Sequence, residues 1–157
     1  MRSVAVDGVM AASKALVGIA ARSLAALDDD EVTLPQFRAL LLVVEGRAHA
    51  AGDLSALLDV HASNATRLVD RLVVKGLVAR VADDTDRRVV TLVATSDGRA
   101  AVARVMRRRR RVVEEILDGL DGAEVAEVGA ALARFAAAAG EVADLPAEEA
   151  WRLGWGS

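Results

Sequence analysis

The sequence predicts a mainly α-helical chain with one small β-hairpin, a three-helix lobe set between long terminal helices. Three observations carry that expectation. Apolar residues recur at helical spacing, as in Val9, Leu16, Ala20, Leu24 and Leu27. Two helical patterns on either side of residue 60 are joined by only a few residues. The period then changes to β-branched runs, "LVARVA" and "RVVTLVAT", on either side of "DDTD", which is a hairpin signal.

The elements follow in order. The N-terminal helix ends at "LDDDEVT", and Thr33 followed by Pro35 opens a second helix that runs to about Glu45. Phe37, Leu40, Leu41 and Val44 form its expected buried face. Gly46 and Gly52 bracket a link, after which Asp53 caps a brief third helix carrying Leu54, Leu57 and Leu58. The fourth helix, "HASNATRLVDRLVVKG", turns Ala65, Leu68, Val69 and Leu72 inward and closes on Lys75 and Gly76, a dipole-matched cation and a left-handed cap. After the hairpin, Thr95 or Ser96 caps a helix that extends through "RRRRR" to Leu117. "DGAE" at 121–124 has the capping-box pattern and opens a last helix with Val125, Val128, Leu132 and Phe135 on one side. The tail, with Trp151 and Trp155, is expected to add a short helical turn at Pro146.

Composition sets bounds on function. The 157 residues suffice for a real core, and an apolar share of 54 % is too high for a disordered chain. Aromatics are only 3 %, so the core must use small and branched aliphatics and few rings remain to stack on a ligand. With no Cys, disulfides, thiolate metal sites and cysteine redox switches are excluded, and a reducing cytoplasm is the expected location. Asp7, Lys14 and Arg22 interrupt the apolar N-terminus, which reads as an amphipathic helix rather than a signal peptide or membrane span.

The net charge of −3 hides an asymmetry: residues 60–112 hold 13 Lys/Arg against 5 Asp/Glu, and the remainder holds 7 against 18. A basic block between acidic flanks suits a localised polyanion site. Inside that block, two helices joined by a short turn make a helix-turn-helix candidate, whose second helix would set its N-terminal residues against base edges. Ser63, Asn64, Thr66 and Arg67 have the right chemistry, short hydroxyls and an amide for base edges and a guanidinium for guanine or phosphate. The same residues would also suit an ordinary solvated helix. The hairpin immediately after, with an arginine pair near its tip, favours the DNA reading.

"LPQFRALLLV", "TRLVDRLVVKGLVAR", the Asp-x-x-Asp-Arg-Arg of "DDTDRR" and "TSDGRA" together resemble the MarR (multiple antibiotic resistance regulator) family of winged helix-turn-helix transcription factors. The resemblance spans residues 9–142. It implies one subunit with dimerisation helices at 1–30 and 118–145, a winged helix-turn-helix DNA-binding lobe at 33–95, and a linking helix at 96–117. It further implies a homodimer on a palindromic double-stranded DNA operator, with recognition helices about 34 Å apart or a multiple of that. Many members are repressors released by a small anionic or phenolic effector. Carried onto this chain, Ser63, Asn64, Thr66 and Arg67 face the major groove, and the recognition helix also brings Arg71, with Lys75, nearer phosphates. Arg87 and Arg88 take the wing, one reaching the minor groove, with Asp86 placed to hold an arginine extended. His61 departs from the pattern, standing where Ser or Gly is usual.

Other readings weigh against the sharper ones. Five consecutive arginines at 107–111 point all around a helix, so a solvated surface competes with auxiliary phosphate contact. His49 and His61 are the only histidines, and no metal site, cofactor or ligand-binding set can be assigned from them. No catalytic motif appears, so an enzyme is not expected. The rival readings are a winged-helix module working through protein contacts, and a small-molecule binder, each without operator binding.

Overall fold

The computed structural model describes residues 2–25, 27, 32–82 and 90–141. Along the chain come α1 (Arg2–Leu24), α2 (Leu34–Val44), α3 (Ala51–Leu58), α4 (Ala62–Val74), β1 (Val78–Ala82), β2 (Val90–Ala94), α5 (Ser96–Leu117) and α6 (Gly122–Ala138). This is the mainly helical class with one antiparallel hairpin that the sequence predicts. The chain divides into two compact units, Met1–Val113 and Glu114–Ser157.

In the first unit, local chemistry fixes where each helix starts and stops. The Thr33 hydroxyl accepts the N–H of Gln36, and the Gln36 side chain accepts the N–H of Thr33, a reciprocal cap with Pro35 in the first turn. Helix α3 begins after Ala50, and Asp53 works from inside the first turn, accepting N–H bonds from His49 at 2.7 Å and Ala50 at 2.9 Å. Asp59 then takes the left-handed conformation, φ +51°, which short polar side chains tolerate. The Ser55 hydroxyl donates to the Val60 carbonyl at 2.7 Å, so the turn into α4 is held at both ends.

Gly76, at φ +69°, ends α4 in a Schellman motif: its N–H donates to the Val73 carbonyl and that of Leu77 to the Leu72 carbonyl, both at 2.9 Å. The chain turns at once into β1. Its register with β2 runs from Val78 opposite Ala94 to Ala82 opposite Val90. Leu92 and Ala94 are buried and Val93 between them is exposed, the alternation of a one-faced hairpin, while Val90, on the face of Leu92, is exposed at the far end of the strand. The Leu92 N–H also donates to the His49 carbonyl at 2.8 Å, which anchors the hairpin to the link before α3.

The core is aliphatic throughout. Leu40 of α2, Leu54 of α3, and Ala65, Val69 and Leu72 of α4 are buried together with Val78, Leu92, Ala101, Val102 and Val105. Where α5 leaves the hairpin, Thr95 binds three ways. Its N–H donates to the Leu77 carbonyl, its hydroxyl donates to the Gly76 carbonyl at 2.6 Å, and the same oxygen accepts the Gly98 N–H at 3.0 Å.

Four expectations need correction. Helix α2 buries Gln36, Phe37, Ala39, Leu40, Leu42 and Val43, while Leu41 and Val44 are only half-buried. It is packed on several sides, by α1, α3, α4 and β2, so a single narrow stripe underestimates its buried arc. Asp53 caps α3 from its third position rather than from its flank, and Leu57 is exposed. On α1 the buried residues are Ile19 and Ser23, whereas Val9 and Leu16 lie at the surface. The same helix is, by length and composition, apolar enough to cross a bilayer, with a mean hydropathy of 1.6 over its best window. Its charges, Arg2, Asp7, Lys14 and Arg22, stand five to eight residues apart, too sparse to break the average.

In the second unit, α6 opens as the sequence predicts. The Asp121 carboxylate accepts the N–H groups of Ala123 at 2.8 Å and Glu124 at 2.9 Å, and Glu124 accepts that of Asp121 at 2.9 Å. No described residue of α6 is buried, and Val128, Leu132 and Phe135 share an exposed side. The expected turn at Pro146 and both Trp lie outside the described residues.

Candidate nucleic-acid interface

Helix α4 divides into two sides. Ala65, Val69 and Leu72 fix one against the lobe, so the opposite side must face outward. Ser63, Asn64, Thr66, Arg67 and Arg71, the five recognition-helix residues predicted to contact DNA, are all exposed there, joined by Asp70 and Val74. The centre of that side runs Ser63, Arg67, Asp70, Val74, a continuous ridge about 16 Å long at the helical rise.

The ridge is partly pre-arranged. His61 is the N-cap residue, and its Nδ1 accepts the Ser63 N–H at 3.3 Å with the Ser63 hydroxyl 3.0 Å away. An imidazole thus supplies the acceptor that Ser, Thr or Asp usually brings to a helix start. The Thr66 hydroxyl donates back to the Ala62 carbonyl at 3.0 Å. Among the described residues nothing holds the side chains of Asn64 and Arg67, which remain available to a ligand.

Asp70 is tied to the hairpin. Its Oδ1 accepts from Nη2 of Arg80 on β1 at 2.6 Å, with both side chains about half exposed. This bond couples the helix face to the strand that carries the wing. Arg71 borders a shallow groove with Gln36, Asp70, Val74 and Lys75. The Lys75 ammonium nitrogen is buried there, so the charge expected near phosphates is withdrawn from the surface. Below α4, the two backbone N–H groups that bind Asp53, from His49 and then Ala50, hold its carboxyl below the ordinary carboxylate value.

Asp86, Arg87 and Arg88 lie outside the described residues, so the wing tip is not seen beside the ridge. On α5, Arg107, Arg108, Arg110 and Arg111 are exposed and Arg109 is half-buried, the all-round distribution that five consecutive helical residues require. Two features escaped sequence reading. The Asp70–Arg80 pair joins residues ten apart across a strand entry, a distance with no local spacing rule. The His61 cap was flagged only as an unusual residue at a helix start, and its acceptor role depends on ring orientation.

The MarR family model matches residues 32–90, which takes in α2, α3, α4 and β1. A curated protein of Bacillus subtilis, the uncharacterized HTH-type transcriptional regulator YsmB, is similar at 30 % identity over 92 residues, or 59 % of this chain. The match spans 63 % of that relative's length. The crystal structure of RV1404 from Mycobacterium tuberculosis is similar at 34 % identity and a TM-score of 0.82, covering 92 % of this chain and 98 % of that one. A MarR family protein from Bacillus stearothermophilus is similar at 27 % identity and a TM-score of 0.73, covering 89 % and 97 %. Fold, motif order and these likenesses agree: the chain belongs to the MarR family.

Proposed function

We propose that this chain is a sequence-specific regulator of transcription that binds double-stranded DNA as a homodimer on a palindromic operator. The observation that carries the reading is the α4 ridge. Ser63, Asn64, Thr66, Arg67 and Arg71 stand exposed on one side of a helix whose other side is locked into a three-helix lobe. Such a ridge fits the major groove, where hydroxyl, amide and guanidinium groups discriminate bases. Arg87 and Arg88 extend the contact from the wing, and Asp86 orients one of them. The lobe at 33–95, the linking helix at 96–117 and dimerisation segments at 1–30 and 118–145 divide the work.

Dimerisation is supported by apolar surface that each unit leaves uncovered. Helix α1 exposes Val4, Val6, Met10, Leu16 and Val17, and α6 exposes Val128, Leu132 and Phe135. Such surface on a chain of this size calls for a partner. The proposal extends, with family membership as its support, to a cytoplasmic location, repression as the mode of control, no enzymatic activity, and release by a small anionic or phenolic effector.

The test is retention of genomic duplexes by the full chain over a series of salt concentrations. Specific retention, with log affinity falling linearly in log salt and half-sites one helical turn or a multiple apart, is the expected result. Absence of any salt-dependent duplex binding would leave the protein-contact or small-molecule reading in its place.

A further inference from the structure

The hydroxyls on the α4 ridge are not free to present either hydrogen-bonding sense. A backbone N–H can only donate, so the His61 Nδ1 that meets the Ser63 N–H carries a lone pair, and the ring proton sits on Nε2. The Ser63 hydroxyl lies 3.0 Å from that same acceptor, so its single proton points inward. Thr66 behaves alike, because its proton is engaged by the Ala62 carbonyl at 3.0 Å. Both residues therefore turn lone pairs outward. Asp70 can only accept while ionised, and the Arg80 bond occupies Oδ1 and leaves Oδ2 open.

Positions 63, 66 and 70 thus form a row of acceptors about 10 Å long on one side of the helix. Between them stands Arg67, which can only donate. A duplex offers such a row few matches. Phosphate oxygens, guanine O6 and N7, and thymine O4 are all acceptors. The major-groove donors are the exocyclic amino groups, adenine N6 and cytosine N4.

Resting on the DNA-binding reading above, we propose that Ser63, Thr66 and Asp70 select adenine or cytosine through these amino groups, beside a guanine taken by Arg67. His61 is then a positioning residue. It does not touch the base, but it sets the sense in which Ser63 reads it. Arg80 has the matching role for Asp70, since it offsets the carboxylate charge that would otherwise oppose nearby phosphates.

The full chain is used to select duplexes from a randomised double-stranded DNA pool at fixed salt. Each selected adenine is then replaced by purine, which lacks the N6 amino group, and each cytosine by its analogue lacking N4. Affinity should fall about fivefold per contacted amino group. Ser63→Ala should make binding indifferent to one such replacement while the other positions keep their preference, and Thr66→Val should do the same at a second position. His61→Ala should relax the Ser63 position by freeing the hydroxyl. His61→Asn keeps both cap and acceptor and should restore the preference, which a purely structural role for His61 would not explain at unchanged thermal stability. If duplexes are retained but amino-group removal has no effect, or Ser63→Ala and Thr66→Val leave the preferences intact, this inference is overturned and DNA binding stands. If no duplex is retained, both readings fall.

Discussion

Gly98 is where the wing is fastened to the rest of the lobe, and replacing it by Ala tests that junction. A methyl group built on Gly98 would sit 2.1 Å from the Leu77 carbonyl oxygen, 3.0 Å from the Leu77 carbonyl carbon and 3.3 Å from Leu40 Cδ1. The first two atoms are backbone, fixed by the bonds from Thr95 and by the Schellman turn before β1. Relief therefore needs α5 and the start of the hairpin to separate, not a side chain to swing away. Overpacking of this kind costs about 1–3 kcal/mol, and the rigidity of the obstacle places it near the top of that range. Ala gains about 1 kcal/mol over Gly in a helix, so roughly 2 kcal/mol of destabilisation remains. For a chain of this length that is a fall in Tm of about 4–8 °C. Thermal unfolding should be followed at one fixed protein concentration, because association with a second copy would add to apparent stability. Gly52→Ala is the matched control: nothing lies within 4 Å of its added methyl, so stability should hold or rise. A Gly98→Ala protein as stable as the parent would refute the close approach of α5 to Leu77.

Other perturbations test other links. Arg67→Ala should weaken specific duplex binding by about 1–3 kcal/mol while sedimentation still gives the parent's oligomeric state, and unchanged affinity would remove Arg67 from the contact set. Replacing Arg87 and Arg88 together by Ala should lower affinity and flatten the salt dependence by about one charge or more, so an unaltered slope would count against a wing on DNA. Asp53→Ala should lower the urea midpoint at neutral pH and have little effect in acid. The native carboxyl titrates below its ordinary value of 3.8, so its contribution is present above that value and is lost as pH falls through the depressed native one. Equal destabilisation at both ends of the pH range would contradict this. Leu132→Asp on the exposed side of α6 should shift the protein toward monomer in sedimentation without lowering its helical content, and an unshifted profile would take Leu132 out of the interface.

Much of the fold was legible because this chain marks its boundaries with residues whose conformational reasons are local. Thr33 and Pro35, Asp121 and Glu124, and Gly76 each act through atoms within a few positions of themselves, so their spacing alone announces a helix start or stop. The α4 stripe was equally plain, since one side meets the core and the other does not. Helix α2 was misjudged for the opposite reason: neighbours on several sides bury Leu42 and Val43 as well as Leu40, and no periodicity in eleven residues reveals how many partners a helix will have. Gly98 looked like one more glycine in "TSDGRA". Only the three-dimensional approach of Leu77 explains why a side chain cannot be there.

The candidate site divides along the same line. Residue types on the exposed side of α4 follow from the helical repeat, which is why Ser63, Asn64, Thr66, Arg67 and Arg71 could be picked out together. What the side can say to a base does not follow from types, because a hydroxyl is both donor and acceptor until a neighbour takes its proton. His61 and the Ala62 carbonyl make that choice for Ser63 and Thr66, and Arg80 makes Asp70 tolerable beside a polyanion. On a helix proposed to meet DNA, an acid and a histidine look like defects when charge alone is counted. Their hydrogen bonds, together with that of Thr66, hold Ser63, Thr66 and Asp70 each to a single hydrogen-bonding sense. A single sense is the property that discriminates, since a surface able both to donate and to accept at every position would meet all four base pairs alike.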